Sequence, residues 1–295
     1  MTVSATREGK IEAPGVSVWY RIAGDGPGVP LLTLHGGPGT GHDYLEPLQS
    51  LGDERPVVFY DQLGCGKSDI PDDMSLYALP RFVEEVDAVR RALGLERVHL
   101  LGHSWGGFMA IEYMAGQPSG VVSLTLASTS PSTRAFETAA RGLLAGMPED
   151  MQRTIERCEA DGTTETGEYM AASLLFMTKH VYRGEQPWPD ALLRTMANHA
   201  VSPAYEHMWG PSEFNAAGNL KGWDREAGIG KITVPTLITC GRHDEATPEM
   251  VAAMQRRIPG SELAIFENSS HMAHMEEPEE FDRVVRDFLR RAEST

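Results

Sequence analysis

Val98-His99-Leu100-Leu101-Gly102-His103-Ser104-Trp105-Gly106-Gly107 is the stretch whose reading decides the fold. Val98–Leu101 is a short apolar run of the kind that fills a buried parallel strand. Gly102–Gly106 matches G-x-S-x-G, and Trp105–Ala115 reads as a mostly buried helix. A strand that passes through a glycine-flanked serine straight into a helix makes a tight turn, which projects the hydroxyl out of the sheet edge. Small residues flank that turn because a side chain there would collide with neighbouring backbone. The helix N-terminus beside Ser104 also favours negative charge developing at the site.

Outward from this turn the same rhythm recurs. Leu31–Leu34, Val57–Tyr60 and Ser123–Ala127 read as further buried strands, and the alternating Val16–Ile22 reads as an antiparallel edge strand. In PRFVEEVDAVRRALGL, Phe82, Val86, Val89 and Leu93 share one helical face, with Gly94 as the stop signal. From about Pro131 to Leu220 the strand signals vanish, and the chain is helical and Met-rich. They resume at Pro235–Cys240 and Glu262–Phe266, and a last helix aligns Phe281, Val284, Val285, Phe288 and Leu289. Strand–helix alternation on both sides of an all-helical insert predicts an α/β fold, with a mostly parallel sheet flanked by helices. The expected division is core (1–130), helical cap (131–221) and core again (222–295).

The composition narrows the function. Asp and Glu number 42 against 26 Lys and Arg, a net charge of −16, which disfavours nucleic acid and anionic membranes as partners. Cys65, Cys158 and Cys240 lie far apart with no C-x-x-C pair. This argues against a disulfide framework or a cysteine zinc site and suits a reducing compartment. No signal-peptide stretch or membrane-length apolar run is present. The expectation is a soluble cytoplasmic protein without metal or cofactor, plausibly a monomer.

A serine hydroxyl needs a base, and the base needs an orienting acid. On a sheet of this kind the order along the chain is Ser, Asp or Glu, His. Asp244 follows the strand run PTLITC and His271 follows ELAIF, at the sheet end where Ser104 also lies. His274 competes with His271 but falls towards the final helix. His243 reads as a solvated loop residue, His103 as pointing away from substrate, and Asp224 precedes the late strands. His35-Gly36-Gly37-Pro38-Gly39 follows LLTL, and its glycines let backbone approach a substrate. The N–H groups of Gly37 and Trp105 are the expected oxyanion donors. Gly64-Cys65-Gly66-Lys67-Ser68 ends like a phosphate-binding loop, but the required first glycine is Asp61.

Five segments together resemble a known family. HGGPG (His35–Gly39), YDQLGCGKSD (Tyr60–Asp69), GHSWGG (Gly102–Gly107), GRHDEATP (Gly241–Pro248) and SSHMAHMEEPEEF (Ser269–Phe281) are similar to the proline iminopeptidases. These prolyl aminopeptidases are serine peptidases of the α/β-hydrolase fold. The resemblance runs from about residue 10 to the C-terminus. It implies Ser104, Asp244 and His271 as the triad and the helical insert as a cap over the site. GPSEF (Gly210–Phe214) looks like a cap segment of the tricorn-associated members, whose glutamate holds the substrate's α-amino group. That implies Glu213, and a second family glutamate implies Glu245. Carboxylates in a water-poor pocket suit this role, because an N-acylated substrate would leave them unpaired. Tyr205, near Glu213, is a further position to shape the pocket. Trp105, Phe176, Tyr182, Trp188, Trp209 and Phe214 offer a slot for a pyrrolidine ring, or the core of the cap.

The resulting expectation is an aminopeptidase that releases N-terminal residues, preferably proline, from short peptides. The rival is an amidase or esterase for amino-acid amides or other small acyl compounds, with the same triad. A non-catalytic hydrolase-like binding protein is disfavoured by the intact triad positions, and epoxide hydrolases by serine at position 104. A fluorophosphonate probe should therefore label the native protein and fail to label Ser104→Ala. Absence of label on the native protein would remove the catalytic reading.

Overall fold

Adjacent residues Leu31 and Leu32 lie in different apolar clusters, as do Val57 and Val58, and Leu100 and Leu101. This is the period-two alternation of strands covered on both faces. In the computed structural model, which describes residues 5–294, eight strands form one sheet. They are β1 (Ala5–Ala13), β2 (Val16–Ala23), β3 (Leu31–Leu34), β4 (Val57–Tyr60), β5 (Val98–His103), β6 (Val121–Ala127), β7 (Thr236–Gly241) and β8 (Glu262–Phe266). Their order is β1-β2-β4-β3-β5-β6-β7-β8. The ladders from β4 to β8 are parallel, and β2 pairs antiparallel with both β1 and β4.

β2 is thus an interior strand, not the expected edge, because β1 covers it. β1 carries little apolar signal. Among its described side chains Ile11 and Ala13 are buried, while Arg7, Glu8, Lys10 and Glu12 face solvent.

Helices α1 (Leu79–Ala92), α2 (Trp105–Ala115) and α8 (Pro248–Gln255) supply Phe82, Val86, Phe108, Val251 and Met254 to one side of the sheet. On the other side, α10 (Pro278–Glu293) supplies Phe281, Val285, Phe288 and Leu289 against Leu31, Val57, Leu101 and Leu237. Val284, assigned to the same stripe from sequence, is only partly buried. Each α10 side chain of this kind that leaves water contributes roughly 1.5–3 kcal/mol.

Between β6 and β7 run α3 (Thr133–Leu144), α4 (Glu149–Asp161), α5 (Gly167–His180), α6 (Asp190–Val201) and α7 (Ala204–Met208). Ala140, Leu144, Ile155, Tyr169, Phe176 and Phe214 make a separate apolar cluster within this segment. Polar contacts tie it to the core: Arg194 Nε donates to Asp43 Oδ1 (2.5 Å), Asn198 Nδ2 to Asp43 Oδ2 (2.9 Å), and Tyr44 N–H to Thr195 Oγ1 (3.1 Å). Among the described residues no helix is long and apolar enough to cross a membrane.

Candidate active site

Ser104 joins β5 to α2 at φ 55° and ψ −122°, a conformation L-residues rarely adopt and one that surrounding structure must enforce. It is enforced by contact. A Cβ on Gly106 would lie 2.0 Å from the Leu34 carbonyl oxygen, and one on Gly102 would lie 2.3 Å from that of Gly106. The Ser104 N–H donates to the Ala127 carbonyl (2.9 Å), and its own carbonyl accepts from Gly107 N–H and Thr129 Oγ1.

The other sequence-predicted residues follow the C-terminal ends of the parallel strands: Gly37 after β3, Asp244 after β7, and His271 after β8. In open α/β sheets this is the end where ligand crevices form. His271 Nδ1 donates to Asp244 Oδ1 (2.7 Å), which also accepts the Ala246 N–H (2.7 Å). Both residues are buried, and Asp244 Oδ2 has no partner among the described residues. With Nδ1 committed as a donor, Nε2 is the basic nitrogen of His271. His103, next to Ser104, lies edge-on to His271 with ring centroids 4.8 Å apart. Among the described residues, neither Gly37 N–H nor Trp105 N–H donates to a protein acceptor.

Glu245 lies on the other side of His271, its Oε1 3.6 Å from Nε2. It is only 2% exposed, and its Oε2 has no hydrogen-bond partner among the described residues. Burial first, then the neighbouring Glu213 and Asp244, hold its carboxyl well above the usual carboxylate range. Glu213 is likewise raised by burial, opposed by the Tyr205 hydroxyl and by His271. Tyr205 donates to Glu213 Oε1 at 2.5 Å. Tyr205 and Glu213, eight residues apart, and Glu245, further along the chain, are thus brought to one place beside His271.

Other expectations fare differently. The Trp105 side chain is part of the apolar core on one side of the sheet. It is buried edge-on to Phe82, with Nε1 donating to Gln62 Oε1. Phe176 and Phe214 stack edge-on at 4.6 Å inside the insert's own cluster. Trp209 packs on Phe108 and Phe136, and Tyr182 on Trp188. His274 is buried on α9 (Ala273–Glu276), and its Nε2 donates to the Tyr44 carbonyl. The loop that resembles a phosphate site folds around a carboxylate of its own: Asp61 Oδ2 accepts the Lys67 N–H, and Oδ1 accepts the His42 N–H and ring Nδ1.

Two residues near His271 have no motif to reveal them. Phe136, on α3, lies edge-on to its ring with centroids 6.4 Å apart. The carbonyl of His180, at the end of α5, accepts the N–H of both Glu245 and His271 (3.3 Å each). Each was legible only as an apolar or polar position within a helix.

The chain is similar to known proteins over nearly its whole length. Residues 29–278 match the family model of the alpha/beta hydrolase fold. A proline iminopeptidase of Heyndrickxia coagulans is 44% identical over 283 residues, which is 96% of this chain and 98% of that one. A proline iminopeptidase of Saccharolobus solfataricus is 38% identical, covering 93% and 89%. The chain belongs to the proline iminopeptidase family of α/β hydrolases. The crystal structure of the Mycobacterium smegmatis proline iminopeptidase superposes with a TM-score of 0.89 at 35% identity, covering 97% of this chain and 98% of that one. The structure of VinJ superposes with a TM-score of 0.94 at 36% identity, covering 98% and 100%.

The raised carboxyl of Glu245 has a thermodynamic sign in this proline iminopeptidase family member. Unfolding releases Glu245 to its ordinary, lower pKa. The folded state therefore binds the extra proton in the interval above about pH 4.5, the ordinary value, and loses stability as pH rises through it. Glu245→Gln should raise the urea midpoint of the ligand-free protein at pH 8, and raise it much less at pH 4.5. An equal gain at both pH values would contradict the buried, ionisable assignment.

Proposed function

We propose that the protein is a serine aminopeptidase that releases N-terminal residues, preferably proline, from short peptides through an acyl-enzyme. The observation that carries this reading is the buried Glu245 carboxylate, with an unpartnered oxygen, set beside the base nitrogen of His271 together with Glu213. Burying carboxylates against one another is costly unless a cation arrives. The free α-amino group of a peptide is such a cation, and it lies a fixed two bonds from the scissile carbonyl carbon. The preference for proline rests on likeness to relatives named proline iminopeptidase.

In this mechanism Ser104 Oγ attacks the carbonyl as His271 Nε2 takes its proton. Asp244 orients the ring and stabilises the imidazolium. The N–H groups of Gly37 and Trp105 receive the oxyanion, a contribution of about 2.7–4 kcal/mol per donor in comparable sites. His271 then protonates the leaving amine, and a water enters by the same route to release the acyl group. Glu213 and Glu245 hold the substrate ammonium, with Tyr205 fixing Glu213. The helical segment 131–221 acts as the cap that closes the amine end of the site, between core parts 1–130 and 222–295. No metal or organic cofactor takes part in this scheme.

The alternative, an amidase or esterase indifferent to the free amine, is separated by one comparison. N-acetylation of a prolyl arylamide should lower kcat/KM by about 10³-fold or more, since the buried carboxylates are then left unpaired. Near-equal rates would favour the alternative. Glu213→Gln should lower kcat/KM for the prolyl arylamide by about 10²-fold while p-nitrophenyl acetate hydrolysis changes only a few-fold. Equal losses on both substrates would remove the amine-holding role.

A further inference from the structure

Tyr44 and His103 are both buried to 2% exposure, and the mechanism above uses neither. The Tyr44 hydroxyl accepts the N–H of Gly36 (2.7 Å) and contacts His103 Nδ1 (2.8 Å). His103 Nε2 contacts the main-chain carbonyl of His271 (2.8 Å). The protons in this chain have one consistent arrangement. Gly36 N–H is only a donor and the His271 carbonyl only an acceptor. His103 Nε2 therefore carries a hydrogen, and the Tyr44 hydroxyl hydrogen points to a bare Nδ1. Both ring nitrogens are thereby occupied, so His103 is not a spare base. Burial, with His271 and His274 adjacent, keeps the ring neutral.

The three ends of this chain are the three segments on which the proposed chemistry depends. Gly36 precedes Gly37, the oxyanion donor. His103 precedes Ser104. His271 is itself the base. Packing makes the joint stiff. A Cβ on Gly36 would lie 2.9 Å from the Tyr44 hydroxyl oxygen and 3.1 Å from Ser104 Cβ. The rings of Tyr44, His103, His271 and His274 stand tilted or edge-on, with centroids 4.8–5.4 Å apart in four contacts. The main chain of Tyr44 is held as well, by His274 Nε2 at its carbonyl (3.1 Å) and Thr195 at its N–H (3.1 Å).

We propose that Tyr44 and His103 are positioning residues: a two-residue hydrogen-bonded bridge that sets the oxyanion loop, the nucleophile turn and the base loop in one register. The inference rests on the reading of Ser104, His271 and Gly37 given above. Sub-ångström alignment is what such sites require, and a misplacement of about 1 Å costs on the order of 10²-fold in rate. The bridge therefore acts on turnover and not on recognition of the amine.

The test uses p-nitrophenyl acetate, which has no amine to bind. Tyr44→Phe removes one oxygen atom and leaves Gly36 N–H and His103 Nδ1 without their partner. We expect kcat to fall about 10–100-fold with KM within about threefold. His103→Gln should fall similarly, and the double variant should lose no more than the worse single, because both break one device. A boronic acid that forms a tetrahedral adduct with Ser104 should bind more weakly by the same factor as kcat/KM, while free proline binds unchanged. Turnover within twofold of native, a loss confined to KM, or multiplying losses in the double variant would overturn the proposal.

Should Tyr44→Phe fail to fold, long-range ¹H–¹⁵N spectra of the native protein decide. The His103 ring should be the Nε2–H tautomer and should not titrate between about pH 5 and 9. A titrating ring or an Nδ1–H tautomer would overturn the bridge. If the native protein neither hydrolyses the ester nor takes a fluorophosphonate at Ser104, the functional reading fails, and the tautomer measurement still reports on the bridge alone.

Discussion

The turn from β5 into α2 has no room for side chains at Gly102, Gly106 and Gly107, and the rest of the site depends on that fact. Gly106 presses on the Leu34 carbonyl at the end of β3, and Gly107 on Thr129 just past β6. The α2 helix is thus seated directly over the sheet, and Ser104 is forced to positive φ with its hydroxyl free of the packing. The same close approach brings the glycine loop after β3 against Ser104. A side chain at Gly36 would press on the Tyr44 hydroxyl oxygen and on Ser104 Cβ. Strain at one residue is offset by two-sided burial of β3, β5 and β6, whose residues are almost without exception fully covered.

Charge is distributed in two regimes. Many of the acidic residues take part in exposed or half-exposed ion pairs such as Arg283–Glu280 and Arg242–Glu267, which solvent screens. Asp244, Glu213 and Glu245 are the opposite case. They converge on His271, two of them with an oxygen that nothing in the described chain satisfies. A fold selected only for stability would not keep such groups, and sites where local rules fail in this way are where function is expected.

The sequence was legible where the information is local. β3, β4, β8 and α2 have the bounds that their apolar runs suggest, and Asp244 and His271 stand on loops after strands as the chain order implies. It was less legible where apolar signal is thin or two-sided. β1 is hard to read because Arg7, Glu8, Lys10 and Glu12 are charged and exposed, while Ile11 and Ala13 are its buried positions among the described side chains; without β1, β2 reads as an edge. For Trp105 the sequence leaves a substrate slot and packed core equally open. Its side chain packs edge-on to Phe82 on the α1 side, within the core cluster. A helix's first residue can expose its N–H at a site while its side chain points elsewhere.

By itself the sequence determined the strand–turn–helix at Ser104, the parallel α/β order around it, and which residues stand at the C-terminal ends of the strands. All three follow from short-range periodicity and from glycine's steric freedom. Only the tertiary structure decided that Glu245 is buried beside His271, with an oxygen that has no partner among the described residues, and that Phe136 lies edge-on to the His271 ring. Only the fold shows Tyr44, His103 and His271 to be linked across separations of 59 and 168 residues. Burial and hydrogen-bond partnership arise from which surfaces the sheet brings together. A local pattern of residue types records the capacity for those contacts but not the partner.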